Sequence, residues 1–389
     1  MTVGLERYGS GMPERECEMT ATGRRRKLVS GARSFFAATL LVLAIGTSTL
    51  AQTPSPALLV LEKSDNAMAM VDPASMKIVA RVPAGTDPHE IVASTDGRVA
   101  YISNYGGSDS DLHTISVVDL LAHKELPAID LGALRSAHGL FFAGYKLYFT
   151  VETNKAFGRY DPAAKSIDWV LGTGQDRTHM VYVFQDLQRV VTSNVTSGTI
   201  SIIEHVDGPS FGPPPGAGGG PPPPPPPGMP AGAGPRKTWH VTNVPAGRGC
   251  EGFDVSPDGK EIWAANAGDG TITIIDVASK KATQTMPISV KGANRLKFTP
   301  DGKIVLISGL AGSSAGNLEV VDATTHHEIK SLDLGGGSGG ILIVPDGSKA
   351  YVAVSQKNKV VAIDLKELKV VGEIPTGKNP DGLAWAQQR

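Results

Sequence analysis

The stretch SPDGKEIWAANAGDGTITIIDV, residues 256–277, decides the fold. An Asp-Gly turn leads into the apolar run EIWAAN, and a Gly-Asp-Gly turn leads into a run in which Thr alternates with Ile. Two strands joined as a hairpin are the direct reading. A third strand-like segment follows, KKATQTMPI (280–288), and the next unit opens with a fourth, NRLKFT (294–299). The turn then returns as TPDG (299–302) and VPDG (344–347), 43 and 45 residues apart, and STDG (94–97) is an earlier variant. A period near forty residues means a repeat architecture, and four short antiparallel strands per repeat describe a propeller blade.

Counting the strand that precedes each turn gives seven: EIVAS, GLFFA, MVYVF, GFDVS, RLKFT, GILIV and GLAWA. The last, at 382–386, has no partner after it. The chain in turn opens with three strands that have none before them: ALLVLE (57–62), NAMAMVD (66–72) and KIVARVP (77–83). The expected fold is therefore all-β, a seven-bladed propeller over residues 52–389, closed by pairing of N- and C-terminal strands in one blade and leaving no free sheet edge.

Two segments stand outside this pattern. Residues 1–51 carry a basic run, Arg24 to Lys27, a short apolar stretch FFAATLLVLAIG (35–46) and small residues up to Ala51, the layout of an export signal; Met19 is an alternative start. Cleavage there predicts a periplasmic or extracellular protein with no membrane span, since the apolar stretch is short for a bilayer; an uncleaved anchor is the other reading. The second segment, GPSFGPPPGAGGGPPPPPPPGMPAGAGPRK (208–237), falls between the third and fourth strands of one blade. Its composition predicts a disordered insertion with a polyproline run, either a tolerated surface loop or an arm for a cell-envelope or protein partner.

The whole chain has a formal net charge of −1. Residues 1–51 hold seven Lys or Arg and four Asp or Glu, which leaves 30 basic against 34 acidic side chains beyond them. Nucleic acid is not an expected partner of so mildly acidic a protein. Cys250 is the one cysteine beyond residue 51, so no internal disulfide is expected there and stability must come from packing.

The segments AYISNYGG, EIWAANAGDGTITIIDV and AYVAVSQKNKVVAIDL, each a few residues after a turn, resemble the YVTN-type β-propeller repeat family. The similarity covers nearly all of 57–386 and is weakest at 144–190, where the turns read AGYK and QDLQ. It implies the propeller fold. Propellers of this kind resemble sugar lactonases, the propeller part of nitrous-oxide reductase and secreted binding proteins, so the resemblance leaves the activity open.

With the repeats in register, one position entering the innermost strand reads His89, His138, His179, Glu251, Asn294, Gly339 and Asp381. Three of the nine histidines share this phase. Innermost strands line the central channel, so these side chains should converge at one mouth of the ring. As a metal set, His89, His138 and His179 suit zinc, copper or iron, with Glu251 or Asp381 as a catalytic base. As a metal-free set they could perform acid–base chemistry, and as isolated residues they could simply cap their strands. The same loops carry Arg135, Arg177, Arg248, Lys291, Arg295 and Lys378, either a basic collar that focuses an anion on the histidines or solvated loop charge. In SDSDLH (108–113), Asp109, Asp111 and His113 read as a polar turn that lacks the rest of a calcium loop.

No phosphate-binding glycine loop opens a helix and no GxSxG stretch stands at a strand-to-helix elbow; GGGSGG (335–340) reads as a loop between blades. The expected function is recognition by a monomeric ring of an anionic small molecule or partner at the histidine-bearing mouth. The alternative is a metal-dependent lactonase-like or lyase-like enzyme, or a copper redox protein, built on the same side chains.

Overall fold

The computed structural model describes residues 53–208, 237–310 and 317–388. Residues 1–51, read from the sequence as an export signal, and most of the Pro-rich insertion lie outside them. The described residues form seven four-stranded antiparallel sheets and two short 3-10 turns. Six sheets are built from consecutive strands. The seventh joins Pro380–Ala386 to Ala57–Glu62, with Leu58 opposite Trp385 and Val60 opposite Leu383. The ends of the described chain therefore complete one blade, as the unpaired strands predicted. That blade is numbered 1, and blades 2 to 7 follow in chain order.

The turn that announced the repeat is fixed by its own side chains. In 256–259, Ser256 Oγ lies 2.7 Å from Asp258 Oδ1 and accepts from the Glu261 amide at 2.9 Å, while the Gly259 amide donates to the Ser256 carbonyl at 2.8 Å. Gly259 sits at φ +72°, the left-handed region that glycine enters without strain. Each turn then packs on the next, Pro257 against Gly302 and Pro300 against Gly347.

The second strand of a blade is apolar along its length because both faces are interfaces. In Glu261–Asn266, Ile262 and Ala264 join a core with Phe184 and Val255, whereas Trp263 and Ala265 pack with Leu296 and Val305 of the following blade. The same holds at the closure, where Leu58 and Val60 pack on Tyr351 and Val360 of blade 7. The core is thus a set of seven layers between blades and not one central mass. Burial of this apolar area contributes the main favourable term in folding, at roughly 25 cal/mol per Å2.

The innermost strands neighbour one another around a closed circle. Their spacing is set by glycines one residue after the histidine phase. A Cβ on Gly139 would lie 2.4 Å from the His179 carbonyl oxygen, one on Gly252 2.2 Å from that of Asn294, one on Gly340 2.4 Å from that of Asp381 and one on Gly382 2.7 Å from that of His89. Hydroxyls on the second strand or just after it tie the same circle: Ser308 Oγ donates to the Gly339 carbonyl at 2.7 Å and Ser355 Oγ to the Pro380 carbonyl at 2.6 Å. The ring is therefore pulled tight at this layer, and the side chains that enter there are forced together.

Candidate functional site

Three of those side chains are the histidines. The His138 ring lies 3.6 Å, centroid to centroid, from that of His179, nearly parallel at 28°, and 4.5 Å from that of His89. Tyr105 caps the group, 4.9 Å from His89 and perpendicular to His138 at 4.8 Å. The side chains converge as their common phase predicted. They differ from an open mouth in depth: His138 is 0% and His179 1% exposed, so the cluster lies beneath the surface.

The polar partners sort the three rings into different states. His179 Nδ1 donates to Glu152 Oε1, and its Nε2 faces Glu251 Oε1 at 3.5 Å. Burial disfavours its charge, but the two carboxylates outweigh it and raise the pKa above the ordinary value. Glu152 is itself fully buried; burial opposes its ionisation, but His179, Arg177 and Tyr105 hold its pKa below the carboxylate range. Arg177 Nε and the Tyr105 hydroxyl both donate to Glu152 Oε2, at 3.1 and 2.7 Å. Glu251 is likewise kept ionised against burial by His179 and Arg295, at about 2.

His89 and His138 are the opposite case. Burial, then the ammonium of Lys63, lowers His89 to about 3, and Lys63 Nζ donates to His89 Nδ1. Burial and the neighbouring His179 hold His138 well below its ordinary value. Among the described residues, neither ring nitrogen of His138 has a hydrogen-bond partner, and His179 Nε2 has none within hydrogen-bond geometry. Asp381, 3.6 Å from His89 Nδ1, has its pKa raised, with burial outweighing Arg295 and Lys63. The cluster therefore holds one imidazole whose charge two carboxylates favour, two whose charge burial disfavours, and unspent hydrogen-bonding capacity on His138.

The six basic residues do not form a uniform collar. Arg177 turns inward onto Glu152, Arg295 is buried in the channel on Glu90 and Glu251, and Arg248 pairs with Asp269 at 2.7 Å. Lys291 and Lys378 are exposed, and Arg135 is half-buried with Nη1 donating to the Gly132 carbonyl. Among the described residues no three His, Cys, Asp or Glu side chains have an arrangement that could hold a metal ion. Cys250 is buried in an apolar core and its thiol is pushed up to about 12 by burial. His113 Nδ1 bonds the Asp111 carbonyl at 2.9 Å, the polar-turn arrangement expected of that loop.

Glu152, Tyr105 and Lys63 were not found from the sequence. They share a phase of their own, the first residue after each blade's second strand: Lys63, Tyr105, Glu152, Val195, Ala267, Leu310 and Ser355. From that phase Lys63 bonds His89 and Glu152 bonds His179, while Tyr105 packs on His89 and His138 and bonds Glu152.

Fold and site together define a seven-bladed β-propeller with a buried histidine–carboxylate cluster at one end of its channel. No family model matches the chain and no curated protein matches it. Solved structures do. Hydrazine synthase from Kuenenia stuttgartiensis aligns at TM-score 0.58 and 17% identity, over 76% of this chain and 89% of that one. A functionally unknown protein from Desulfotomaculum acetoxidans DSM 771 aligns at 0.64 and 10%, over 86% and 99%. The dihydro-heme d1 dehydrogenase NirN, solved in complex with DHE, aligns at 0.56 and 15%, over 84% and 74%. These likenesses are of fold. Two of the neighbours are enzymes by name and one has no known function, so the site must be read from its own residues.

Proposed function

We propose that the protein is an exported, divergent YVTN-type propeller that recognises a small anionic molecule at the histidine-bearing end of its channel. The observation that carries this reading is His138, fully buried with both ring nitrogens unpartnered among the described residues, beside a His179 whose charge two carboxylates favour. Buried polar groups in folded proteins are almost always bonded, and leaving one unmade costs about 1–3 kcal/mol. A neutral imidazole supplies one donor and one acceptor, and an anion with a protonatable oxygen matches both. Lys63 and Arg177, each partly accessible, add cationic donors at the entrance, and exposed Lys291 and Lys378 with half-buried Arg135 supply the field that draws an anion towards it.

The test is titration calorimetry with inorganic phosphate, acetate and malonate on the parent and on His138→Ala and Lys63→Met. The expected result is binding of at least one anion, weakened at least tenfold in both variants, with an association rate that loses its salt dependence in a Lys291→Gln/Lys378→Gln protein. Equal affinities in parent and variants would overturn the reading. Export is tested by the N-terminus of the protein recovered from the cell envelope or medium, expected at Gln52.

A second reading is favoured by the same unpartnered nitrogens: a transition metal held by His89, His138 and His179, with Glu251 or Asp381 as base. It requires the stacked rings to turn their nitrogens to one point. Elemental analysis after purification without chelator decides it, since one equivalent of zinc, copper or iron, lost in His138→Ala, would place metal chemistry first.

A further inference from the structure

A second cavity lies further along the same channel and is built quite differently. It has a volume of ≈ 370 Å3, at the small end of the range for drug-sized ligands. Its walls come from the C-terminal parts of the innermost strands and include Phe141, Tyr182, Phe253 and Trp385. None of the three histidines lines it. Phe141 and Tyr182 meet edge to face at 5.0 Å, and Tyr182 meets Phe184 in the same way at 5.3 Å, contacts that fix the rings lining the cavity.

The end nearest the histidine layer is closed by one ion pair. Arg295, 9% exposed at its side chain, bonds Glu90, 15% exposed, and its Nη1 donates to the Asn294 carbonyl at 2.9 Å. Both residues line the cavity. The other charged lining residues, Asp254 and Lys297, are also paired with each other, at 3.2 Å. The lining is therefore neutral overall. A ligand ion would meet a charge of its own sign at either pair, whereas an uncharged group can accept from the guanidinium and donate to the carboxylate at once.

We propose that this cavity is a second binding site, for an uncharged aromatic molecule whose polar end carries a donor and an acceptor side by side, as a primary amide does. The aromatic ring packs among Phe141, Tyr182, Phe253 and Trp385, and the amide spans Arg295 and Glu90. The charge rule of this end is the reverse of the one proposed for the histidine end, so the two sites are separable by ligand as well as by residue.

The probes are benzamide, benzoate and toluene, titrated into the full-length protein with calorimetry and Trp385 fluorescence as readouts. Benzamide is expected to bind at least tenfold tighter than either of the others and to change the fluorescence, an effect lost in Trp385→Phe. In Glu90→Gln the guanidinium loses the nearer of its two carboxylate partners and keeps only Glu251, so the preference should shift at least tenfold towards benzoate. Leu342→Phe narrows the cavity from its lining and should abolish benzamide binding while leaving the melting temperature and the anion binding of the histidine end unchanged. The inference is overturned if benzoate or toluene binds as well as benzamide, or if benzamide binding survives Leu342→Phe. It is equally overturned if a folded Glu90→Gln protein keeps the parent's preference.

Discussion

The three histidines make opposite contributions to stability as pH changes. His89 and His138 are buried neutral with folded pKa values below the ordinary 6.5, about 3 for His89. Their contribution is complete above the unfolded value and is lost as pH falls below it, because the unfolded chain then binds protons that the folded chain refuses. His179 is raised, so its contribution is complete below 6.5 and is lost as pH rises through its folded value. Stability should therefore peak near pH 6.5. On the acid side it should fall by roughly 1.4 kcal/mol per pH unit for each of the two neutral rings. In His89→Asn, whose Oδ1 can accept from Lys63 where Nδ1 did, the acid slope between pH 6.5 and 5 should shrink by about one proton. Denaturation midpoints across that range decide it, and an unchanged slope would mean that His89 titrates alike in both states. The histidine phase is legible in the sequence because repeats superpose, so that residues far apart in the chain fall on one column. What stays hidden is the sorting of charge. That depends on Glu152 and Lys63, which enter from a different column and whose side-chain directions no spacing reveals.

At the scale of the strand, the propeller pattern is legible wherever the turn keeps its Asp-Gly, and it survives even where that pair is gone. In AGYK, Ala143 opposes Lys146, so Gly144 and Tyr145 form a two-residue turn with both residues at positive φ, +55° and +59°. A side chain there costs backbone strain, and Tyr145, 78% exposed, recovers little packing in return. Tyr145→Gly should therefore raise stability by about 0.5–1 kcal/mol, read as a higher urea midpoint at constant slope. The glycines of the innermost strands work the other way. Gly252 carries no positive-φ requirement, yet an added methyl would meet the Asn294 carbonyl oxygen at 2.2 Å. Both partners are backbone in a closed circle, so neither can yield cheaply. Gly252→Ala should cost at least ~2 kcal/mol, and a variant that melts with the parent would mean the circle is looser than its contacts imply. These glycines look unremarkable in sequence, because close approach to a neighbouring blade leaves no local signature.

For the whole molecule, closure was the part of the architecture most open to reading, since the number of unpaired strands at one end matched the single strand missing at the other. Removing residues 380–389 takes away the innermost strand of blade 1, uncovers the edge of Ala57–Glu62 and strips Leu383, Ala384 and Trp385 from two interfaces. A loss on the order of 5 kcal/mol is expected, and a truncated protein that melts within a degree or two of the parent would contradict closure by shared strands. The insertion gives the contrasting test. Its two flanking strands, Thr199–Asp207 and Lys237–Pro245, pair without a break, and Asp207 stands opposite Lys237. The hairpin is thus already in register where the insertion begins and ends, and a turn of four residues could join it. Replacing 208–236 by Gly-Ser-Gly-Ser shortens the loop that folding must close. Loop-closure entropy varies only with the logarithm of length, so the gain should not exceed ~2 kcal/mol. The melting temperature should equal or slightly exceed the parent's, with binding at both ends of the channel unchanged. A fall of more than about 1 kcal/mol would instead mean that the proline-rich segment packs on the blades, because the chain-entropy term alone can only favour the shorter loop.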